Sequence, residues 1–142
     1  MSVPPSKCPR IWVIDDSPAD HELMRIAFKP YMPVDNISSY YSAEEAVEEL
    51  KKGHHPSLIL LDLNMPGQGG TFFLKERQAR LFMHVPVVIL TSSSNPDDIR
   101  ETYAAGANSY LLKPADLAEL EAFAESVYAY WFKFAYLPQD VC

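Results

Sequence analysis

Five short, mostly apolar runs, each ending at a polar cluster and separated from the next by a helix-length segment, constrain this chain more than any other feature. They are RIWVI 10–14, NISSYY 36–41, SLILL 57–61, VPVVIL 85–90 and NSYLL 108–112. Three are almost wholly apolar, as strands covered on both faces are. The segments after the runs carry helix-start signals. Ser17-Pro18-Ala19-Asp20 supplies a cap, a proline at the first helical position and an acid in the first turn, and Asn95-Pro96-Asp97-Asp98 repeats the pattern. Ser42 with Glu45, and Asp116 with Glu119, have capping-box spacing. Gly53 and Gly106 fall where a helix would end on a left-handed residue. Strand-helix alternation repeated five times predicts the α/β class. The expected architecture is a five-stranded parallel doubly wound sheet of order 2-1-3-4-5, joined by right-handed crossovers, with helices on both faces.

At 142 residues the chain is expected to form one domain with a core that needs no staples. Residues 1–9, rich in proline, read as an N-terminal arm, 10–138 as the domain with an extended last helix, and 139–142 as a tail. Cys8 and Cys142 make neither a CxxC pair nor a disulfide framework, which favours a cytoplasmic setting. No apolar run is long enough to span a membrane, and MSVPPSKCPR lacks the apolar stretch of a secretory signal. A net charge of -7 without a basic tract argues against nucleic-acid binding. The four histidines have no metal-binding spacing, and GQGG lacks the lysine of a phosphate loop.

Ligands of such sheets bind beyond the carboxyl ends of the strands. Strand 1 delivers Asp15 and Asp16 there, strand 3 Asp62, strand 4 Thr91 and Ser92, and strand 5 Lys113. In the expected order these rich ends are contiguous, whereas strand 2, at the edge, offers only Ser42. Singly, each residue has an ordinary reading as a cap, a turn acid or a surface lysine. Together they define a site. Three gathered carboxylates repel unless a cation joins them, and oxygen ligands alone suit a hard ion, Mg²⁺ above all. A lysine and a hydroxyl across the crevice suit the oxygens of an anion, and a carboxylate can act as nucleophile to form an aspartyl-phosphate.

With these residues the chain resembles the receiver domains of two-component response regulators over roughly residues 9–135. The resemblance implies that Asp62 is the phosphoacceptor and that Asp15 and Asp16 serve the Mg²⁺. Asn64 would lend the metal its backbone carbonyl, and Thr91 and Lys113 would contact the phosphoryl group. Tyr110 corresponds to the aromatic switch partner, and Lys113-Pro114 to a Lys-Pro bond that is often cis in the family. DLNMPGQGG matches the family loop at Met65, Pro66 and Gly70; Gly69 departs from it, where an acid is common, which bears on capping of the third helix. LTSSSNPDDI, GANSYLLKP and YWFKFAYLP are similar to single-domain regulators partnered with bacterial phytochrome histidine kinases. The implied partners are thus a histidine kinase, of phytochrome type, and an unknown downstream protein. With no output domain on either side, the signal would leave by changed protein contacts or phosphate relay.

The same residues bear on two other functions. A Mg²⁺-dependent phosphohydrolase with an aspartyl intermediate needs an acid two residues beyond the nucleophile, where this chain has Asn64. A receiver that has lost phosphorylation would be expected to lack some of these residues. The reading is therefore a signalling protein that catalyses only its own phosphorylation and dephosphorylation. In the last helix, Leu117, Leu120, Ala124, Val127, Trp131 and Phe134 recur at steps of three and four and are expected to face the sheet. Phe123, Tyr128, Tyr130, Phe132 and Tyr136 remain, more aromatic surface than one buried stripe absorbs, and they predict a homodimer through the last helix and the strand 5 region.

Overall fold

The computed structural model describes residues 9–67, 69–80 and 82–138, so the arm at 1–8 and the tail at 139–142 lie outside the described residues. Five strands, β1 (Ile11–Ile14), β2 (Ile37–Tyr40), β3 (Leu58–Leu61), β4 (Val87–Thr91) and β5 (Ser109–Leu112), alternate with five α-helices. These are α1 (Pro18–Phe28), α2 (Ala43–Lys51), α3 (Gly70–Ala79), α4 (Pro96–Ala104) and α5 (Leu117–Tyr128). All strand pairs are parallel, in the order β2-β1-β3-β4-β5.

Strand parity sorts the core into two layers. Ile11, Val13, Leu58, Leu60, Val88 and Leu90 pack against Met24 and Phe28 of α1 and Leu120, Ala124 and Val127 of α5. Trp12, Ile14, Ile59, Leu61, Val87 and Ile89 pack against α2 and α3 through Val47, Leu50, Phe73 and Leu74. Each such side chain contributes on the order of 1.5–3 kcal/mol by leaving water. Helix α4 is held differently, with Thr102 its one buried residue.

Helix starts follow the local chemistry. The side chains of Ser17, Ser42, Asn95 and Asp116 accept hydrogen bonds from the backbone N–H groups of Asp20, Glu45, Asp97 and Glu119. Helix α3 starts at Gly69 without a side-chain cap. Gly70 must be small, because a Cβ there would lie 2.8 Å from the Asp62 carbonyl oxygen.

Three expectations are corrected. The Lys113–Pro114 peptide is trans, as are all peptides among the described residues; trans is the intrinsically favoured isomer. Beyond Tyr128 the last helix widens into a π turn, Ala129–Phe134, and residues 135–138 are not helical. Widening rotates the inward direction: Phe132 is buried and Phe134 exposed, the reverse of the expectation from a 3.6-residue period. Leu117 also lies on the surface, and Trp131 is half-buried.

Candidate functional site

The sheet ladder runs one residue past the ends of β1 and β3. Asp15 N–H donates to the Tyr40 carbonyl at 3.0 Å, and Asp62 N–H to the Ile14 carbonyl at 2.9 Å. Lys113 N–H likewise reaches the Thr91 carbonyl at 2.8 Å. The polar residues are therefore anchored by the rigid sheet while their side chains project beyond it, the arrangement that makes strand ends good sites.

Asp15 and Asp62 are buried and Asp16 is exposed, and each of the three can offer an oxygen within 4.8 Å of the others. Lys113 lies among the acids. Its Nζ is 3.0 Å from Asp15 Oδ2, 2.9 Å from Asp20 Oδ2 and 3.4 Å from Asp62 Oδ2. Burial pushes the Asp62 carboxyl above the usual carboxylate range; the Lys113 charge pulls it down, and Asp15 pushes it up again. For Lys113 burial works against the charge, but hydrogen bonds to Asp20 and Asp15, with the charges of Asp15 and Asp62, outweigh it and hold the pKa above its ordinary value. The donor set is oxygen only, anionic and closely spaced, and it fits a hard divalent cation.

A chain of contacts leads away from the carboxylates. Asn64 N–H donates to Asp62 Oδ1 at 3.3 Å, and its amide nitrogen donates to the buried Thr91 hydroxyl at 3.4 Å. Two residues on, the Ser93 carbonyl accepts the Tyr110 hydroxyl at 2.7 Å, and the Ser93 hydroxyl donates to Asp98 at 2.6 Å in the first turn of α4. Half-buried Tyr110 packs against the α2–α3 layer.

The structure thus brings Asp15, Asp16, Asp62 and Lys113 together, joins Thr91 to Asp62 through Asn64, and ties Tyr110 of β5 to the β4–α4 loop through its hydroxyl. Sequence reasoning overlooked Asp20, read only as a helix-cap acid. Capping alone accounts for an acid at the third position after an N-cap, so nothing local marked its contact with Lys113. His21 was overlooked too. Its ring is buried, Nε2 donates to the Asp15 carbonyl at 2.7 Å, and the ring lies beside Tyr41.

The model of the response regulator receiver domain family matches residues 11–125. The response regulator Rcp1 of Synechocystis sp. is 32% identical over 127 residues, 89% of this chain and 81% of the relative. Among solved structures, a phosphorylated cyanobacterial phytochrome response regulator, RcpA, aligns with a TM-score of 0.86 and 29% identity, covering 94% of this chain and 100% of the other. A Mn²⁺-bound form of Rcp1 aligns with a TM-score of 0.76 and 29% identity, covering 92% and 99%.

Proposed function

This chain belongs to the response regulator receiver family, and from that premise we propose that it is a phosphorylation-driven switch whose acceptor is Asp62. The observation that carries the reading is the position of Lys113 between Asp15 and Asp62 at the carboxyl ends of β1 and β3.

In the proposed reaction an Asp62 carboxylate oxygen attacks the phosphorus of a phosphohistidine on a histidine kinase. A P–O bond forms as the P–N bond breaks, and the kinase histidine leaves with the electron pair. Asp15, Asp16, Asp62 and the Asn64 carbonyl would hold Mg²⁺, which when bound offsets negative charge at the transferring group. Lys113 neutralises phosphoryl oxygens from the opposite side, a fixed charge in a partly buried site. The Thr91 hydroxyl turns to donate to a phosphoryl oxygen, loosening its link to Asn64. Tyr110 already bonds the Ser93 carbonyl, so the phosphoryl group selects this docked arrangement and, through Ser93 and Asp98, biases α4.

The proposed kinase is a phytochrome, a reading supported by the likeness to RcpA and Rcp1. No described helix is long and apolar enough to cross a membrane. A cytoplasmic setting belongs to the same proposal and rests on cysteines placed without a disulfide pattern. Output is assigned to a downstream protein and to homodimerisation through the last helix and β5.

Intact-mass measurement after incubation with Mg²⁺ and a small acyl phosphate tests the reading. A labile gain of one phosphoryl group is expected in the wild-type protein and none in Asp62→Asn, whose amide is not a nucleophile. Equal labelling of the variant would overturn the assignment, and rapid multiple-turnover consumption of donor with no phosphoryl group retained on the protein would instead indicate a phosphohydrolase.

A further inference from the structure

Lys113 has one more carboxylate partner than the reaction requires. Asp15 and Asp62, with side chains 6% and 7% exposed, lie at the floor of the crevice, whereas Lys113 and Asp20, at 26% and 36%, lie toward its rim. Asp20 makes the shortest of the three contacts, 2.9 Å, yet it is not among the acids whose oxygens can converge on a cation. Its place is built by the loop: Ser17 N–H donates to Asp15 Oδ1 at 2.9 Å, and the Ser17 hydroxyl accepts Asp20 N–H at 3.2 Å. Asp20 is thereby held in register with Asp15, on the outer side of the lysine.

These contacts create a conflict. The oxygens that Lys113 takes from Asp15 and Asp62 belong to the carboxylates that would bind a dication, and an ammonium repels a dication across a few ångströms of partly desolvated space. Lys113 must yield those oxygens when Mg²⁺ enters and must stay close enough to meet a phosphoryl group later. We propose that Asp20 is a positioning residue that provides a second station for the Lys113 ammonium, drawing it outward so that Asp15 and Asp62 are released to the metal. Asp20 touches neither the metal nor the phosphoryl group; it acts through Lys113. The inference rests on Asp15, Asp16 and Asp62 being the cation site of the receiver reading.

A double-mutant cycle read by calorimetric titration with Mg²⁺ alone tests it. Asp20→Asn is expected to weaken Mg²⁺ binding about tenfold in the wild-type background, since the lysine then rests on the metal's own ligands. Lys113→Met is expected to tighten binding. In the Lys113→Met background Asp20→Asn should cost less than about threefold, the scale of one partly exposed charge acting alone. Equal losses in both backgrounds would show that Asp20 acts on the metal directly and would overturn the proposal, as would unchanged affinity in Asp20→Asn. Phosphorylation of the wild-type protein by the acyl phosphate, followed in parallel, separates this from the function itself: a wild type that binds Mg²⁺ but takes no phosphoryl group sinks the function and leaves the cycle readable.

Discussion

Asp62 carries a charge that the folded protein tolerates poorly without metal. Burial, with the neighbouring Asp15 charge, raises its pKa more than Lys113 and the Asn64 N–H lower it, so the folded chain holds the Asp62 proton more readily than the unfolded chain does. The sign follows from linkage: a raised folded pKa contributes stability that is present in acid and lost as pH rises through the raised value. In chelator at pH 7, Asp62→Asn should therefore raise Tm by a few degrees, on the order of 2–5 °C, and the gain should vanish near pH 3, where Asp62 is protonated in both states. Equal Tm values at pH 7 would mean that Lys113 fully offsets the burial. Added Mg²⁺ should stabilise the wild type, because binding to the folded state alone raises its stability with ligand concentration. Asp16→Ala, which removes one of the clustered carboxylates and leaves two, should lose most of that increment while keeping the metal-free Tm within about 2 °C. A Mg²⁺ increment unchanged in Asp16→Ala would remove Asp16 from the cation site.

Helix α5 and the π turn that continues it show how far a sequence period reaches. The buried Leu120, Ala124 and Val127 lie where steps of three and four put them, but the next buried residue is Phe132, five beyond Val127. Phe132→Ala should thus cost about 3–5 kcal/mol in chemical denaturation. Phe134→Ala, at an exposed position, should stay within about 0.5 kcal/mol. The reverse order of costs would restore the uninterrupted α-helix expected from periodicity. The contrast marks what was legible. Strands β1, β3 and β4 were readable because burial on both faces demands unbroken apolar runs, and four helix starts because capping is local chemistry. Asp15, Asp16, Asp62, Thr91 and Lys113 were readable because sheet order alone gathers strand ends. The π turn was hidden because a change of backbone pairing leaves no mark in a 3.6-residue pattern. Asp20 was hidden because its bond to Lys113 spans 93 residues of chain. Arg77 was hidden because a charged helical residue reads as solvated. Its guanidinium is instead buried, donating to the carbonyls of Val85, Met83 and Gly106 and to Asn108. Gly106 shares this seam at φ +103, where a Cβ would meet Met83 Cε at 2.5 Å.

At the scale of the whole molecule, the apolar surface is uneven in a way that bears on assembly. Tyr130, Phe134 and Tyr136 are 60%, 73% and 72% exposed, and Leu111, Leu112 and Leu117 add apolar surface on and just after β5. Phe132 and Tyr128, expected at an interface, are spent on the core: Phe132 is buried, and Tyr128 stacks on Tyr31 at 5.4 Å. Three aromatics at these exposures offer roughly 300–500 Å², short of the ~800 Å² per partner of a standard interface. The aromatic tail alone is too small for a stable dimer, so the proposed interface must also take in the β5 edge. That edge carries Tyr110 and precedes Lys113, so the proposed interface would couple association to the state of Asp62, and the coupling would run both ways: what phosphorylation adds to dimer affinity, dimerisation adds to occupancy of the phosphorylated state. Sedimentation across a concentration series, with and without the acyl phosphate and Mg²⁺, should show a monomer–dimer equilibrium whose dissociation constant shifts by roughly 5–150-fold on phosphorylation. Replacing Tyr130, Phe134 and Tyr136 together by alanine should leave a monomer with unchanged Mg²⁺ affinity, and Leu112→Arg should do the same from the strand side. A wild type that stays monomeric at the highest concentration in both states removes the dimer from the proposal. A dimer that survives the triple alanine variant but not Leu112→Arg moves the contact to the β5 edge alone.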